Sequence, residues 1–234
     1  MVKTFKGIDV SRWQGDIDWS KVKNNIDFAI IRAGYGNNNI DIKAKNNVLG
    51  CEKNNIPYGL YWFSYAYTVE MAINEAKCLL GFVKNHKPLY PLYFDFEYDS
   101  IEYAKKNGVV ITNELLRNMA TAFCEELENN GYYAGIYANL DYVKRMYGEE
   151  IFKKYDLWYA RWDVDNPDRD VHLWQVGSDG CVDGITGNVD LDVAFIDFPS
   201  LIKEKELNGY KKEEFVCKNN CPYCHYSRRF MTIT

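Results

Sequence analysis

The chain has 234 residues, 47% of them hydrophobic and 26% charged, which suits one globular unit with a sizeable core. Its net charge of −5 excludes a polyanion as the natural partner, so no nucleic acid and no anionic membrane surface is expected. No apolar run is long enough to span a bilayer, and no membrane insertion is expected.

The N-terminal Met1-Val-Lys-Thr-Phe-Lys-Gly7 shows no apolar stretch of a secretory leader. Any role outside the cell then needs another exit, such as cytoplasmic accumulation and release through a pore, or a leader already removed. Phe5 to Ser11 reads as a first strand, with Asp9 near its C-terminal end. A loop Arg12-Trp-Gln-Gly15 follows, then a short helix that Asp18 can cap. Phe28 to Gly34 is an apolar run of strand length, closed by the turn Tyr35-Gly-Asn-Asn-Asn39. A helical stretch over 43–54 leads to a third strand, Tyr58 to Tyr65. Val69, Ala72, Ile73, Ala76, Leu79, Leu80 and Val83 then recur at helical spacing.

The fourth strand carries the chemistry. In Tyr90-Pro-Leu-Tyr-Phe-Asp-Phe-Glu-Tyr-Asp99, β-rich residues run up to two carboxylates two positions apart, Asp95 and Glu97. Residues i and i+2 of a strand face one side, with Cα atoms about 6.5 Å apart. Unpaired acids are costly to bury, and close acids drive their pKa values apart, leaving one protonated and one ionised near neutrality. That pairing is what glycoside hydrolysis needs. A strand end whose acids meet solvent or pair with Arg is the alternative.

Thr112 caps a long helix with Leu115, Leu116, Met119, Ala122, Phe123 and Leu127 on one face, ended by Gly131. Strand five covers Tyr132 to Ala138, and a shorter helical patch lies near Leu140 to Met146. Asp156 to Trp162, Val171 to Val176 and Leu191 to Ile196 then read as strands with only loops between them. The expectation is an α/β fold, an irregular, parallel-rich TIM-like barrel of five β/α units followed by three strands. The division expected is a barrel over 1–200 and a charged linker with a Cys-rich tail over 201–234. In such barrels chemistry gathers at the C-terminal strand ends. Asp9, Asp95, Glu97 and Asp163 fall there, and Asp190 leads into the last strand, itself a neighbour of the first. Aromatics make up 16% of the chain, with 19 Tyr and 6 Trp, enough both to fill a barrel and to offer platforms for sugar rings.

Gly7-Ile-Asp-Val-Ser-Arg-Trp-Gln-Gly15, Phe94-Asp-Phe-Glu97 and Gly187-Asn-Val-Asp-Leu-Asp192 together resemble the Chalaropsis-type lysozymes, glycoside hydrolase family 25. Five further segments, from Phe28–Gly34 to Leu173–Gln175, look like that family in the right order, so the resemblance covers about residues 5–199. It implies a muramidase that cleaves the β-1,4 bond between N-acetylmuramic acid and N-acetylglucosamine in bacterial cell-wall peptidoglycan, as endolysins and autolysins do. It implies Glu97 as general acid, with Asp95 steadying positive charge or orienting the N-acetyl group. Asp9 and Asp190 resemble the remaining acids of the site, while Asp192 falls where the family pattern varies. Trp13, Tyr61, Tyr137, Trp158 and Trp174 are candidates for sugar contacts, each equally able to be barrel filling, and Arg32 is a candidate to pair with an acid. No cofactor is implied, and a single chain is expected to act alone.

Two other readings stay open. A chitinase-type hydrolase also has Asp-x-Glu on strand four, but wants further acids where Leu92, Tyr93 and Phe94 stand. A non-catalytic wall-binding protein on the same fold would have no use for all of Asp9, Asp95, Glu97 and Asp190.

Of seven Cys, Cys51, Cys78, Cys124 and Cys181 are scattered, and an odd, scattered set does not make a secreted disulfide framework. Cys217, Cys221 and Cys224 cluster beside His225. These four could hold structural zinc, but the adjacency of Cys224 and His225 suits one tetrahedral ion poorly, so a thiol or disulfide-bearing tail is favoured.

Overall fold

The computed structural model describes residues 3–211. Nine strands form one sheet: β1 (Phe5–Val10), β2 (Phe28–Tyr35), β3 (Asn39–Ile40), β4 (Tyr58–Phe63), β5 (Leu92–Asp95), β6 (Ala134–Asn139), β7 (Asp156–Ala160), β8 (Leu173–Gly180) and β9 (Val189–Ala194). The order β1-β9-β8-β7-β6-β5-β4-β2 closes on itself through a β1–β2 pairing, and β3 hangs on the outer edge of β2. This is the expected α/β barrel, with β3 added. Within the closed barrel, neighbours are parallel except at β9, which runs antiparallel to both β8 and β1; the added β3 is antiparallel to β2. The reason is length. The connection 181–188 is shorter than the dozen or so residues that a parallel crossover needs, so the chain turns straight back.

Among the described residues, six α-helices cover the barrel: α1 (Trp19–Val22), α2 (Ala44–Asn54), α3 (Val69–Val83), α4 (Tyr98–Lys106), α5 (Asn113–Asn129) and α6 (Phe198–Glu204). The expected caps are made: Asp18 and Thr112 accept from the backbone N–H of Ser20 and Leu115, and Thr68, not foreseen, accepts from that of Met71. Cys51, Cys78 and Cys124 lie in α2, α3 and α5 as free thiols, two of them buried in the core. Helix α4 is not among the expected elements; it is only nine residues long, follows directly on the acid strand, and buries Ser100 and Ala104. The patch near Leu140 becomes a wide π-helical turn over Tyr142–Tyr147.

Two cores result from the period-2 alternation of the strands. Residues facing outward, among them Ile8, Ile31, Leu60, Phe94 and Ile136, pack under the helices. Those facing inward fill the barrel with rings: Phe28, Tyr61, Tyr90, Tyr93, Tyr137, Trp158 and Phe198. Rings of this size fit because glycine stands opposite them. A Cβ on Gly7 would lie 2.2 Å from the Phe28 ring, and one on Gly135 would lie 2.4 Å from that of Tyr93. The lower end is sealed by Phe28 stacked on Tyr90 and by Tyr90 against Phe198. Beyond α6, the buried Asn208 donates to the carbonyls of Pro88 and Tyr90 and accepts from the N–H of Tyr133. The aromatic plug makes the upper mouth the barrel's accessible end.

Gly7→Ala is expected to destabilise the fold by about 1–3 kcal/mol, the usual range for overpacking. Urea unfolding measures it, and a change below about 0.5 kcal/mol would contradict this account of the barrel filling.

Candidate active site

The mouth is built by register. Asp9, next to last in β1, lies opposite Asp190 of β9, and Asp95 ends β5 between Phe63 of β4 and Tyr137 of β6. Because β9 is antiparallel, its N-terminal residues lie at the C-terminal ends of the other strands, which is how Asp190 reaches the mouth. Strand β5 stops at Asp95, two residues earlier than the sequence suggests, and Glu97 is the N-cap of α4. The backbone there remains extended, with φ −126° and ψ −172°, so the strand's alternation carries on. Phe94 and Phe96 stack on each other in the outer core, while Asp95 and Glu97 face the mouth together.

Asp9, Asp95, Glu97, Asp190 and Arg32 line a deep cavity of about 260 Å³ with Trp13, Tyr61, Tyr137 and Trp158. A larger cleft of about 760 Å³, lined by Tyr98, Asn139, Arg161 and Asp163 among others, adjoins it. Glu97, Tyr137 and Trp162 line both, so Glu97 stands at the junction of the two. A polymer threaded through them would place one unit on each side of that carboxyl.

Burial sets the electrostatics. It raises Glu97 to about 7, with Asp99 and Asp190 adding repulsion. Asp95 is raised as well, by burial first and by Glu97 second, but the positive charge of Arg32 opposes the rise. Among the described residues, no cation acts on Glu97 in this way. Arg32 is itself held by Asp41, whose Oδ2 accepts from Nε at 2.7 Å and lies in an ion pair 2.7 Å from Nη2. It pairs with an acid, as expected, but with Asp41, which the sequence alone does not single out. On the far wall, burial and the charges of Asp192 and Asp190 push Asp9 up. Asp190 is raised by burial, and Asp192 is pushed up to about 8 for the same reason.

The remaining candidates divide. Tyr61 and Tyr137 wall the cavity, and Trp158 forms its floor and donates from Nε1 to Asp192 at 2.8 Å. Trp13 stands at the rim, 72% exposed, with Arg12 over its ring. Trp174 lies on the other face of β8, stacked on Phe195 in the outer core with Nε1 on the carbonyl of Arg161, and does not reach the cavity. Its neighbour Gln175 does. Gln175 Oε1 accepts from Tyr137 Oη and Trp162 Nε1, while Nε2 donates to Asp9 Oδ2 at 2.7 Å. Strand parity carries that signal, since Leu173 and Gln175 share the inward face and Trp174 cannot. Among the described residues, no group of three His, Cys, Asp or Glu side chains could hold a metal ion, and no helix is long and apolar enough to cross a membrane. Cys217, Cys221, Cys224 and His225 lie outside the described residues.

A barrel whose mouth gathers paired buried acids between aromatic walls defines a glycoside hydrolase. The chain belongs to glycosyl hydrolases family 25, whose profile it matches over residues 8–185. It is 28% identical over 200 residues to the uncharacterized protein YegX of Escherichia coli O157:H7, covering 81% of this chain and 69% of that one. A 60-residue stretch, 25% of this chain and 20% of its relative, is 42% identical to lysozyme M1 of Streptomyces globisporus. The modular autolysin LytC of Streptococcus pneumoniae, solved with a synthetic peptidoglycan ligand, superposes with a TM-score of 0.71 at 28% identity. That match covers 81% of this chain but only 46% of LytC, so the chain spans about half of that autolysin's length. The catalytic domain of endolysin ply40, from bacteriophage P40 of Listeria monocytogenes, gives a TM-score of 0.72 at 25% identity, covering 86% and 98% of the two chains.

The buried Asp192 makes stability depend on pH. Folded, it keeps its proton up to about 8 against a usual value of 3.8, so its contribution is intact below about 3.8 and is lost as pH rises through 8. Asp192→Asn removes that loss. The variant is expected to melt roughly 3 °C or more above the parent at pH 8, with the gap closing towards pH 4. Thermal scans across that range decide, and a gap that does not change with pH would contradict the protonation of Asp192.

Proposed function

We propose that the protein is a lysozyme-type peptidoglycan hydrolase, an N-acetylmuramidase that cleaves the β-1,4 bond between N-acetylmuramic acid and N-acetylglucosamine. The observation that carries this is the placing of Glu97, which burial holds at about 7 and which, alone of the acid pair, lines both the cavity and the cleft. A carboxyl that keeps its proton near neutrality thus stands where a bridging oxygen would lie. Family membership and the likeness to an autolysin and an endolysin support the wall as substrate.

Glu97 gives its proton to the bridging oxygen as the C1–O bond breaks, so the leaving sugar departs as a neutral alcohol. Positive charge then gathers on C1 and the ring oxygen. The Asp95 carboxylate, whose Oδ1 has no hydrogen-bond partner among the described residues, steadies it or orients the N-acetyl group. Water adds to C1, and its proton passes to a carboxylate of the cluster. Asp9, held by Gln175, and Asp190 across from it keep that wall of the cavity in place. The exposed Trp13 and Trp162 at the rim suit the apolar faces of sugar rings. All of these groups come from one chain, which is therefore expected to act alone at the cell wall.

Glu97→Gln keeps the shape of the acid but has no carboxylic proton, and turnover is expected to fall about 10²–10⁴-fold. Purified peptidoglycan is digested, the fragments are reduced with borohydride and read by mass spectrometry. New reducing ends on muramic acid, absent with the variant, are expected. Ends on N-acetylglucosamine would contradict the bond assignment, and near-parental release by the variant would contradict the acid. Sedimentation with walls without any fragments would favour a wall-binding role.

A further inference from the structure

Glu75 sits on α3, outside the cavity, and is only 1% exposed. No basic side chain pairs with it among the described residues, and burial raises it to about 7. A buried carboxyl without a cation is costly, so its hydrogen bonds show what it serves. Both go to the loop after β4. Ser64 Oγ donates to Glu75 Oε2 at 2.5 Å, and the N–H of Tyr65 donates to Oε1 at 3.0 Å.

Ser64 is the centre of the arrangement. Its N–H donates to the carbonyl of Asp95 at 2.7 Å. Its own carbonyl accepts from Ser100 Oγ at 2.6 Å, and Ser100 Oγ accepts from the N–H of Glu97 at 3.1 Å. One residue thus grips both ends of the segment Asp95-Phe96-Glu97, directly at Asp95 and through Ser100 at Glu97. Ser64 and Ser100 are fully buried, so water does not compete for these bonds. The Ser64 backbone is in turn fixed from the side by Glu75, and Ser64 Oγ also accepts from the N–H of Ala66 at 3.1 Å.

We propose that Glu75 is a positioning residue of the hydrolysis, which through Ser64 and Ser100 holds the main chain that sets Asp95 and Glu97 against each other. The proposal rests on the reading of Glu97 as the acid. Glu75 touches no substrate. Its loss would let the turn after β5 relax and Glu97 move towards water, and displacements near 1 Å in such sites cost about 10²-fold in rate.

The test uses the full chain with Glu75→Ala, Glu75→Gln and Ser100→Ala, comparing kcat with KM on peptidoglycan. It also follows the ¹³C-labelled Glu97 carboxyl by NMR titration. Glu75→Ala is expected to lower kcat about 10–100-fold with KM within about threefold. The Glu97 midpoint is expected to fall by at least about 0.5 unit, as a carboxyl that regains water does. Glu75→Gln should restore most of both, because its amide oxygen can accept from Tyr65 and its nitrogen can donate to Ser64 Oγ. Ser100→Ala cuts the same chain from the other side and should move the midpoint in the same direction, which serves if Glu75→Ala does not fold. A Glu97 midpoint unmoved in the folded variants would overturn the proposal. The titration needs no turnover, so a parent protein that releases no fragments would contradict the muramidase reading while the midpoints still decide the role of Glu75.

Discussion

Too many carboxyl groups share too little water at the mouth of this barrel. Asp9, Asp95, Glu97, Asp190 and Asp192 are all raised above their usual values, and among the described residues the cation that opposes the rise of Asp95 is Arg32. Protons must therefore stay bound where they would be lost in solution. Burial raises both acids of the pair, Asp95 even against the charge of Arg32, whose guanidinium Asp41 holds. Glu97 is the one of the two that also opens on the cleft. The rest of the fold supports that placing.

The support comes from both sides of the sheet. Inside, Tyr93, Trp158 and the stacked Phe28–Tyr90 pair block the barrel below the acids, so the cavity is closed from beneath and shielded. Outside, Phe94 and Phe96 are buried under the helices, which fixes the side on which Asp95 and Glu97 emerge. Across the mouth, the reversal of β9 brings Asp190 opposite Asp9 in register and puts Asp192 beneath them on the Trp158 indole. The acids thus need both the alternation of β5 and the direction of β9.

Much of this was legible in the sequence, because strand and helix periods differ and the barrel repeats them. The parity of Asp95 and Glu97 holds even though the strand ends between them, since the extended backbone at Glu97 keeps the same sidedness. Other features depend on contacts far apart in the chain. Gln175 bonds Asp9 across 166 positions, and Glu75 grips a loop whose Ser64 in turn holds residues more than thirty positions on. Nothing local marks either residue as functional. Trp174 illustrates the converse. A tryptophan in a sugar-active chain invites a binding role, yet its place on β8 turns it to the outer core, where it stacks on Phe195. Helix α4 is short and starts at the residue after Glu97, so the strand pattern running through Asp95 and Glu97 hides its beginning.

The central claim is that Glu97 is the group kept protonated by burial, and the pH dependence of kcat/KM on purified peptidoglycan tests it most directly. The account predicts activity that falls as pH rises through about 7, where Glu97 loses the proton it must donate. Activity that stays level or climbs from about pH 6 to 9 would mean that the working acid is not held by this site, and would contradict it.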